Sequence, residues 1–272
     1  MSVLYKYCDQ LGIVKILGSL ELKLPYIAQV NDPFECSPVF YCPDDKPAMR
    51  EQCLRTFERN RCSPSAEWEH KLNELYETGE LRKMLEKGMR DGIREENRRN
   101  CLLSVSETAK EPVMWAHYAE RHKGGVIGID FDNICPTTNM PVGIEMRSVN
   151  YSENRPKMNI LHEFTLENAW EIALTKSLAW SYEKEFRSLF DDATLRKLSH
   201  QDLTCLRDFN GKKTWFLQLN PESIRKVVFG LYTEESLKSS IRKLVERPEL
   251  QHVKLYQAEK SEIYTFNLKD IA

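Results

Sequence analysis

The chain has 272 residues, of which 41% are hydrophobic and 29% charged, and its formal net charge is -2. This balance is typical of a globular protein with a substantial core and excludes a disordered chain. It also excludes a whole-molecule attraction to nucleic acid or to an anionic membrane, although a local basic groove is compatible with it.

No apolar run in the sequence approaches the roughly 18 residues of a membrane span. The first ten residues, MSVLYKYCDQ, contain Lys and Asp, and they show neither a long apolar stretch nor a small-residue cleavage site. We therefore expect no secretory signal, no membrane partner and a cytoplasmic location. The eight cysteines include no Cys-x-x-Cys pair, which disfavours a zinc site and favours reduced thiols.

The first part of the chain reads as strands separated by a helix and a turn. Residues Val3 to Tyr7 predict a strand, and the apolar spacing after it predicts a helix that ends at Gly18. Residues Leu20 to Leu24 alternate as a half-buried strand does. The segment Asn31-Asp-Pro-Phe-Glu35 predicts a turn, because proline lacks a backbone donor and Asn and Asp bond their own backbone.

Residues 46–100 differ from the rest in composition. Glu, Arg and Lys dominate there, and Leu, Trp and Met recur at helical spacing. This pattern predicts two or three helices with solvated outer faces, inserted as a block. The basic cluster Arg94, Arg98 and Arg99 is interpreted as part of such a face, with contact to a phosphate as the alternative.

The remainder mixes helices and strands irregularly. Helices are predicted at Pro112 to Glu120, His162 to Lys176 and Glu234 to Arg247, the last capped by Thr233. Strands are predicted at Cys101 to Ser106, Gly124 to Phe131, Ile144 to Tyr151, Phe186 to Phe190, Lys226 to Gly230, Val253 to Tyr256 and Ile263 to Asn267. This order predicts an α+β fold and not a doubly wound sheet.

Two segments near the start carry polar groups in apolar surroundings. Lys6 lies on one face of the first strand and Tyr5 and Tyr7 on the other. A solvent-facing lysine is the structural alternative. The turn at Asn31 either caps its own backbone or carries function, as loops often do.

A third segment joins a strand to a short helix. Ser104 and Ser106 share a strand face, and His117 and Tyr118 share a helix face. With Trp115, these rings offer stacking surface and hydrogen-bond donors, which suits a planar ligand such as a nucleotide base. A hydrogen-bonded core histidine is the structural alternative.

The fourth segment is Trp180-Ser-Tyr-Glu-Lys-Glu-Phe-Arg187. If it is extended, Glu183, Glu185 and Arg187 point to the same side. Two neighbouring carboxylates raise the pKa of one of them by like-charge repulsion, and an arginine opposes that shift. A partly buried salt bridge is the alternative interpretation.

These motifs, in this order, resemble those of the bacterial family catalogued as domain of unknown function 2971. The resemblance runs from residue 4 to about residue 230. It rests on Leu4 to Tyr7, Asn31 to Glu35, Cys101 to Glu107, Met114 to Asp130 and Lys176 to Arg187. The family label implies no activity.

The motif order is also similar to that of the mono-ADP-ribosyltransferases. There, a first strand carries an Arg or His that contacts NAD, a second strand carries Ser-x-Ser and a later strand carries Glu-x-Glu. The corresponding residues here are Lys6, Ser104 with Ser106, and Glu183 with Glu185, and Lys6 departs from the usual Arg or His. The resemblance implies one α+β domain over residues 1–272 with a split, mostly antiparallel sheet and a helical insertion at 46–100.

This second resemblance implies an NAD-dependent ADP-ribosyltransferase or NAD glycohydrolase, of a kind that acts as a toxin or defence effector. NAD would be the substrate, and the acceptor, a protein or a nucleic acid, is not specified. Glu185 would stabilise an oxocarbenium-like transition state, and Glu183 would position or deprotonate the acceptor. The nicotinamide would stack on Tyr7, Trp115 or Tyr118.

We expect the site to form a single cleft, with the Asn31 turn holding a phosphate or ribose and residues 46–100 covering or flanking it. The residues expected to line it are Lys6, Asn31, Ser106, His117, Tyr118, Glu185 and Arg187. Two alternatives remain open. The first is a nucleic-acid-directed enzyme with Mg²⁺ on Asp32, Glu35, Glu183 and Glu185, and the second is a non-catalytic module that binds a nucleotide.

Overall fold

The computed structural model of the protein describes residues 3–134 and 144–271. Its strands are β1 (Leu4–Cys8), β2 (Glu21–Leu24), β3 (Val39–Tyr41), β4 (Cys101–Ser106), β5 (Gly125–Ile129), β6 (Arg147–Ser148), β7 (Asn150–Ser152), β8 (Lys157–Asn159), β9 (Thr175–Ser177), β10 (Glu185–Phe190), β11 (Thr204–Phe209), β12 (Lys212–Gln218), β13 (Ile224–Phe229), β14 (Lys254–Lys260) and β15 (Phe266–Asp270). Its helices are α1 (Gln10–Ser19), α2 (Lys46–Arg59), α3 (Trp68–Glu77), α4 (Glu80–Arg99), α5 (Pro112–Tyr118), α6 (Leu166–Leu174), α7 (Asp192–Ser199) and α8 (Glu235–Val245).

Eight of the described strands form a central sheet in the order β15-β14-β13-β5-β1-β4-β10-β6. Neighbouring strands are antiparallel except β13 and β14, which are parallel. A smaller sheet has the order β11-β12-β2. The predicted α+β class with a mostly antiparallel sheet is therefore confirmed. β1, β4 and β10 are neighbours in space although the chain separates them widely.

The central strands are buried on both faces because helices cover the sheet from both sides. Ile13 of α1 belongs to the same hydrophobic cluster as Ile127 of β5, whereas Trp115 of α5 belongs to the cluster that contains Val126. Consecutive strand residues point to opposite faces, so residues 126 and 127 serve different clusters. This two-sided burial explains the continuous apolar run of β5.

Residues 46–100 form no strand, and their regular structure consists of α2, α3 and α4. The inward side chains of these helices make a hydrophobic cluster with residues that lie just after β8. Its buried members are Cys42, Met49, Leu72, Leu81, Ile160 and Leu161. The outer faces carry charge pairs such as Lys71 with Glu74, as solvated helix faces do.

The helix predicted at His162 to Lys176 is shorter than the sequence indicated. It begins at Leu166, where Thr165 and Asn168 form a reciprocal capping box, and it ends at Leu174. Lys176 consequently lies on the short strand β9. This shift matters because it turns the lysine towards the site described below.

Two predicted helix boundaries were wrong. α1 continues past Gly18 to Ser19, and Leu20 takes the left-handed conformation (φ 56°) while donating its N–H to the carbonyl of Ile16. Thr233 does not cap α8, because its hydroxyl donates to the carbonyl of Gly124 at 2.7 Å. Packing against the sheet decides both positions.

Other boundaries differ less, and some elements were not predicted. The strand expected at Ile144 to Tyr151 is reduced to the short β6 and β7, and the hairpin of β11 and β12 was missed. The described cysteines are free thiols, and Cys135 lies outside the described residues. No helix in the described ranges is both long and apolar enough to cross a bilayer.

Candidate functional site

Polar residues of β1, β4 and β10 meet because these strands pair side by side. Ser106 of β4 lies opposite Tyr5 of β1 on one side and opposite Glu185 of β10 on the other. Lys6 of β1 donates from Nζ to the carbonyl of Ser104 at 2.8 Å. Antiparallel pairing therefore brings the lysine, serine and glutamate motifs together.

A cavity of about 300 Å³ opens at this junction. The predicted site residues that line it are Lys6, Tyr7, Asn31, Ser104, Ser106, Tyr118, Glu183, Glu185 and Arg187. Glu35, which the sequence suggested only as a Mg²⁺ ligand, and Lys176, which it did not single out, line it as well. Segments far apart in the chain thus share one cavity.

Arg187 is the centre of the charged wall of this cavity, and its side chain is only 1% exposed. It donates to both carboxylate oxygens of Glu185, at 2.9 Å each, and to both of Glu35, at 2.6 and 2.8 Å. It also donates to the carbonyl of Ala173. Such bidentate pairs fix the planes of both carboxylates as well as neutralising them.

Lys176 completes the charged cluster from β9. Its Nζ lies 2.5 Å from Glu183, 3.1 Å from Glu185 and 3.8 Å from Glu35. With Arg187, the two cations face three carboxylates, all of them buried. One negative charge in the cluster is therefore not matched by these two cations.

Glu183 does not lie on the strand that contains Glu185. From the sequence, Glu183, Glu185 and Arg187 were considered as residues of one extended strand. It ends a 3₁₀ helix, Leu178–Glu183, and Lys184 then takes a left-handed φ of 44° before β10 begins. Glu183 nevertheless meets Glu185, because both carboxylates bind the same ammonium group of Lys176. A turn, and not strand alternation, brings the two carboxylates together.

Glu183 has hydrogen bonds on both its backbone and its side chain. Tyr118 donates to its Oε1 at 2.7 Å, and Ser106 donates to its backbone carbonyl at 2.6 Å. Burial, together with the charge of Glu185, raises the pKa of Glu183, against the opposing effects of Lys176 and Tyr118. The carboxylate of Glu183 is therefore suited to accept a proton.

Glu185 has the opposite electrostatic character. Burial alone would raise its pKa, but the charges of Arg187 and Lys176 and the hydrogen bonds of Arg187 and Ser104 outweigh burial and lower the pKa to about 2. The two glutamates thus differ in proton affinity although they share a cation. A pair of carboxylates with divergent pKa values is the usual arrangement for acid-base chemistry.

The depressed pKa of Glu185 predicts a pH dependence of folding. Its contribution, about 3 kcal/mol for a shift from 4.5 to about 2, is present above its unfolded pKa and is lost as the pH falls towards 2. Urea unfolding between about pH 3.5 and 6 should show a shallower dependence in Glu185→Gln than in the wild type. The exposed Glu77→Gln control should keep the wild-type slope. Equal slopes in Glu185→Gln and the wild type would show that Glu185 does not carry this linkage.

Lys6 is half-buried and lines the cavity. Burial lowers the pKa of its ammonium, and the nearby charge of Glu185 opposes that effect. The solvent-facing alternative for this lysine is therefore wrong.

Two predicted site residues do not line the cavity. Trp115 is fully buried in the core, where its Nε1 donates to the carbonyl of Ala109 at 2.8 Å. His117 is exposed, and its ring stacks on Tyr182 with centroids 6.4 Å apart. Tyr7 does border the cavity, but its hydroxyl is bound to the carbonyl of Thr108 at 2.9 Å.

The turn that begins at Asn31 has both an architectural and a site role. Asp32 accepts the backbone N–H of Phe34 at 2.9 Å, which fixes the turn. The side chain of Asn31 bonds Tyr118, and Glu35 reaches Arg187. The turn therefore holds two groups of the cavity in place.

The insertion at residues 46–100 contributes no residue to the lining of this cavity. It borders a different cavity, of about 570 Å³, together with α6. The insertion therefore does not cover the site of Glu185. Its apolar faces pack towards Ile160 and Leu161, while α4 lies beside the site, where Asn97 donates to the carbonyl of Cys36, next to Glu35.

The Mg²⁺ alternative required Asp32, Glu35, Glu183 and Glu185 to converge on a metal. Within residues 3–134 and 144–271, no three His, Cys, Asp or Glu side chains are arranged to hold a metal ion. The three glutamates instead bind Lys176 and Arg187.

Comparison with known proteins gives one match. Residues 114–188 fit the profile of the family described as protein of unknown function (DUF2971). This segment contains Tyr118, Lys176, Glu183, Glu185 and Arg187, and over these residues the match supports the family that the motifs indicated. Neither the curated proteins nor the solved structures gave a match.

Proposed function

We propose that this chain, whose residues 114–188 match the DUF2971 family, is an NAD-dependent enzyme that transfers ADP-ribose to an acceptor or to water. The observation that carries the proposal is the adjacency of Lys6, Ser104 and Glu185 on three paired strands around one cavity. This is the order of basic residue, serine and glutamate in the mono-ADP-ribosyltransferases that the sequence resembles. The ADP-ribosyltransferase-like form of the fold is part of the same proposal.

The reaction breaks the bond between C1′ of the ribose and the nicotinamide nitrogen. The bonding electron pair leaves with the nicotinamide, and positive charge develops on the ribose. An acceptor oxygen or nitrogen then bonds to C1′ and releases a proton. A site for this chemistry needs a fixed anion near the ribose and a base for the acceptor.

Glu185 and Glu183 supply these two functions. Glu185 stays ionised at neutral pH because Arg187 and Lys176 stabilise its charge, so it provides a fixed anion. Glu183, whose pKa is raised, takes the proton of the acceptor. Tyr118 orients the Glu183 carboxylate through its hydrogen bond.

The size and walls of the cavity suit the reacting half of NAD. A volume of about 300 Å³ is near the lower end of small-molecule sites, so it would hold the nicotinamide and its ribose with the adenosine outside. Tyr5, Tyr7 and Tyr118 give the cavity aromatic surface for the nicotinamide ring. Trp115 has no part in this stacking, since it is enclosed in the core.

The proposal is tested by incubating the protein with NAD and following nicotinamide by chromatography. We expect nicotinamide to appear at a rate proportional to enzyme concentration, with free ADP-ribose as the second product when water is the acceptor. Ser106→Ala should leave a slower enzyme, because the hydroxyl that holds the carbonyl of Glu183 is lost. NAD binding in a calorimeter without nicotinamide release would favour the non-catalytic nucleotide-binding module, and no binding at all would refute both.

A further inference from the structure

A separate cavity, of about 270 Å³, lies between α4 and the segment that enters β3. None of its lining residues lines the cavity of Glu183 and Glu185. Its described lining residues include three arginines, Arg90, Arg94 and Arg155, and no carboxylate, although Glu86 and Asp91 lie 3.4 Å from Arg90 and Arg94. The net charge of the whole chain, -2, gives no indication of this local excess of positive charge.

Arg90 and Arg94 come from the same face of α4, since they are four residues apart. Their partners in the structure are Glu86, which is half-buried, and Asp91, which is exposed, each at 3.4 Å. Exposed helical pairs of this kind contribute little to stability. Both guanidinium groups are therefore free to turn towards an anion in the cavity.

Arg155 enters the cavity from the opposite side and is held firmly. Its Nε donates to the carbonyl of Ser37 at 2.7 Å, and its Nη2 donates to the Ser37 hydroxyl at 2.9 Å and to the carbonyl of Pro38 at 3.2 Å. Its guanidinium also lies over the ring of Phe34, 5.6 Å from the centroid. These contacts do not use Nη1, which leaves a fixed donor for a ligand.

We propose that this cavity binds a phosphate group of a nucleotide or of a single-stranded nucleic acid. Guanidinium groups that approach from two sides match the geometry of a phosphate, and the absence of a carboxylate from the described lining residues favours an anion. An exposed aromatic ring lies beside the cavity, because Phe34, which is 60% exposed, contacts the guanidinium of Arg155. A base attached to the phosphate has this ring on which to stack.

The proposal does not depend on the NAD chemistry. It assigns a role to Arg94, one of the basic cluster Arg94, Arg98 and Arg99, for which phosphate contact was the alternative to a solvated helix face. Arg98 of that cluster does not line the cavity, and its side chain, 66% exposed, is paired with Glu95. The cluster thus divides into a ligand-facing part and a solvated part.

The test measures binding of a fluorescein-labelled oligothymidylate of about ten nucleotides by anisotropy, and binding of AMP by calorimetry. The double variant Arg90→Ala, Arg94→Ala should bind each probe with an affinity at least tenfold lower than that of the wild type at low salt. For the strand, the slope of log affinity against log salt should fall by about 1.4, the value for two lost phosphate contacts on a single strand. Arg98→Ala, from the same helix, is the matched control and should change affinity less than about twofold.

The two probes separate the sources of the phosphate. If AMP binds to the wild type and not to the double variant, the site is assigned to a mononucleotide. If the oligothymidylate binds and AMP does not, the site is assigned to single-stranded nucleic acid. The proposal is overturned if neither probe binds, or if Arg98→Ala weakens binding as much as the double variant does. Circular dichroism of the variants checks that α4 is intact.

Discussion

Arg187→Met should lower the free energy of unfolding by about 3–5 kcal/mol, because the change leaves the carboxylates of Glu185 and Glu35 buried without their main cation. Lys176 cannot replace the lost arginine. It lies 3.8 Å from Glu35 and is already bound to Glu183 and Glu185. Urea unfolding at neutral pH measures the loss, which is a large part of the stability of an ordinary domain.

Arg196→Met is the matched control for that experiment. Arg196 also forms a short ion pair, 2.6 Å from Asp192, but both side chains are exposed, so its removal should cost less than about 1 kcal/mol. If Arg187→Met proves too unstable to purify, Arg187→Lys keeps the charge and removes the bidentate geometry, and it should still destabilise more than the control. Similar losses for Arg187→Lys and Arg196→Met would show that the buried cluster does not hold this part of the fold together.

The motifs located most of the cavity because each places a polar residue in an apolar strand or at a turn. What the sequence did not contain was their pairing. β1 meets β4 and β5 through non-local contacts, and Lys6 reaches the carbonyl of Ser104 across 98 residues. Periodicity describes one element at a time, so it predicted the faces of the strands and not their neighbours.

Glu35 and Lys176 belong to quoted motifs, yet only the structure shows that they share a charge cluster. Glu35 binds Arg187 across 152 residues, and no local pattern reports such a pairing. Lys176 was placed at the end of a helix, where a lysine is ordinary. The capping box at Thr165 and Asn168 is the local signal that would have placed the start of the helix at Leu166, and no such signal marks its end at Leu174.

The short helix α5 shows which features of a site helical spacing can predict and which it cannot. Met114 and Tyr118, four residues apart, both line the cavity. His117 lies at the border of that face and turns outwards onto Tyr182. Trp115 points into the core, where it packs edge-on against Tyr7 with ring centroids 5.5 Å apart. A wheel gives the spacing of the side chains, but the sheet beneath decides which of them face the cavity.

Glu183→Gln should reduce nicotinamide release from NAD by about 10² or more, while the protein melts at or above the wild-type temperature. The two effects separate because burial and the charge of Glu185 raise the pKa of Glu183. A carboxyl group with a raised pKa stabilises the folded state only while it is protonated, and this contribution is lost as the pH rises through its folded pKa. At neutral pH a neutral glutamine therefore removes an unfavourable charge together with the proposed base.

Glu185→Gln completes the test, because Glu185 is both the proposed fixed anion and a member of the buried charge cluster. The structure ties Glu185 to Arg187 and Lys176 with a pKa of about 2, so this variant should melt well below the wild type and should also release nicotinamide more slowly per folded molecule. The exposed Glu77→Gln should change neither property. Thermal melting and nicotinamide release, measured on the same preparations, then distinguish a base whose loss leaves the fold intact from an anion that also holds the fold. If Glu183→Gln releases nicotinamide as fast as the wild type, Glu183 is not the base, and its raised pKa reflects only the crowding of three carboxylates around two cations.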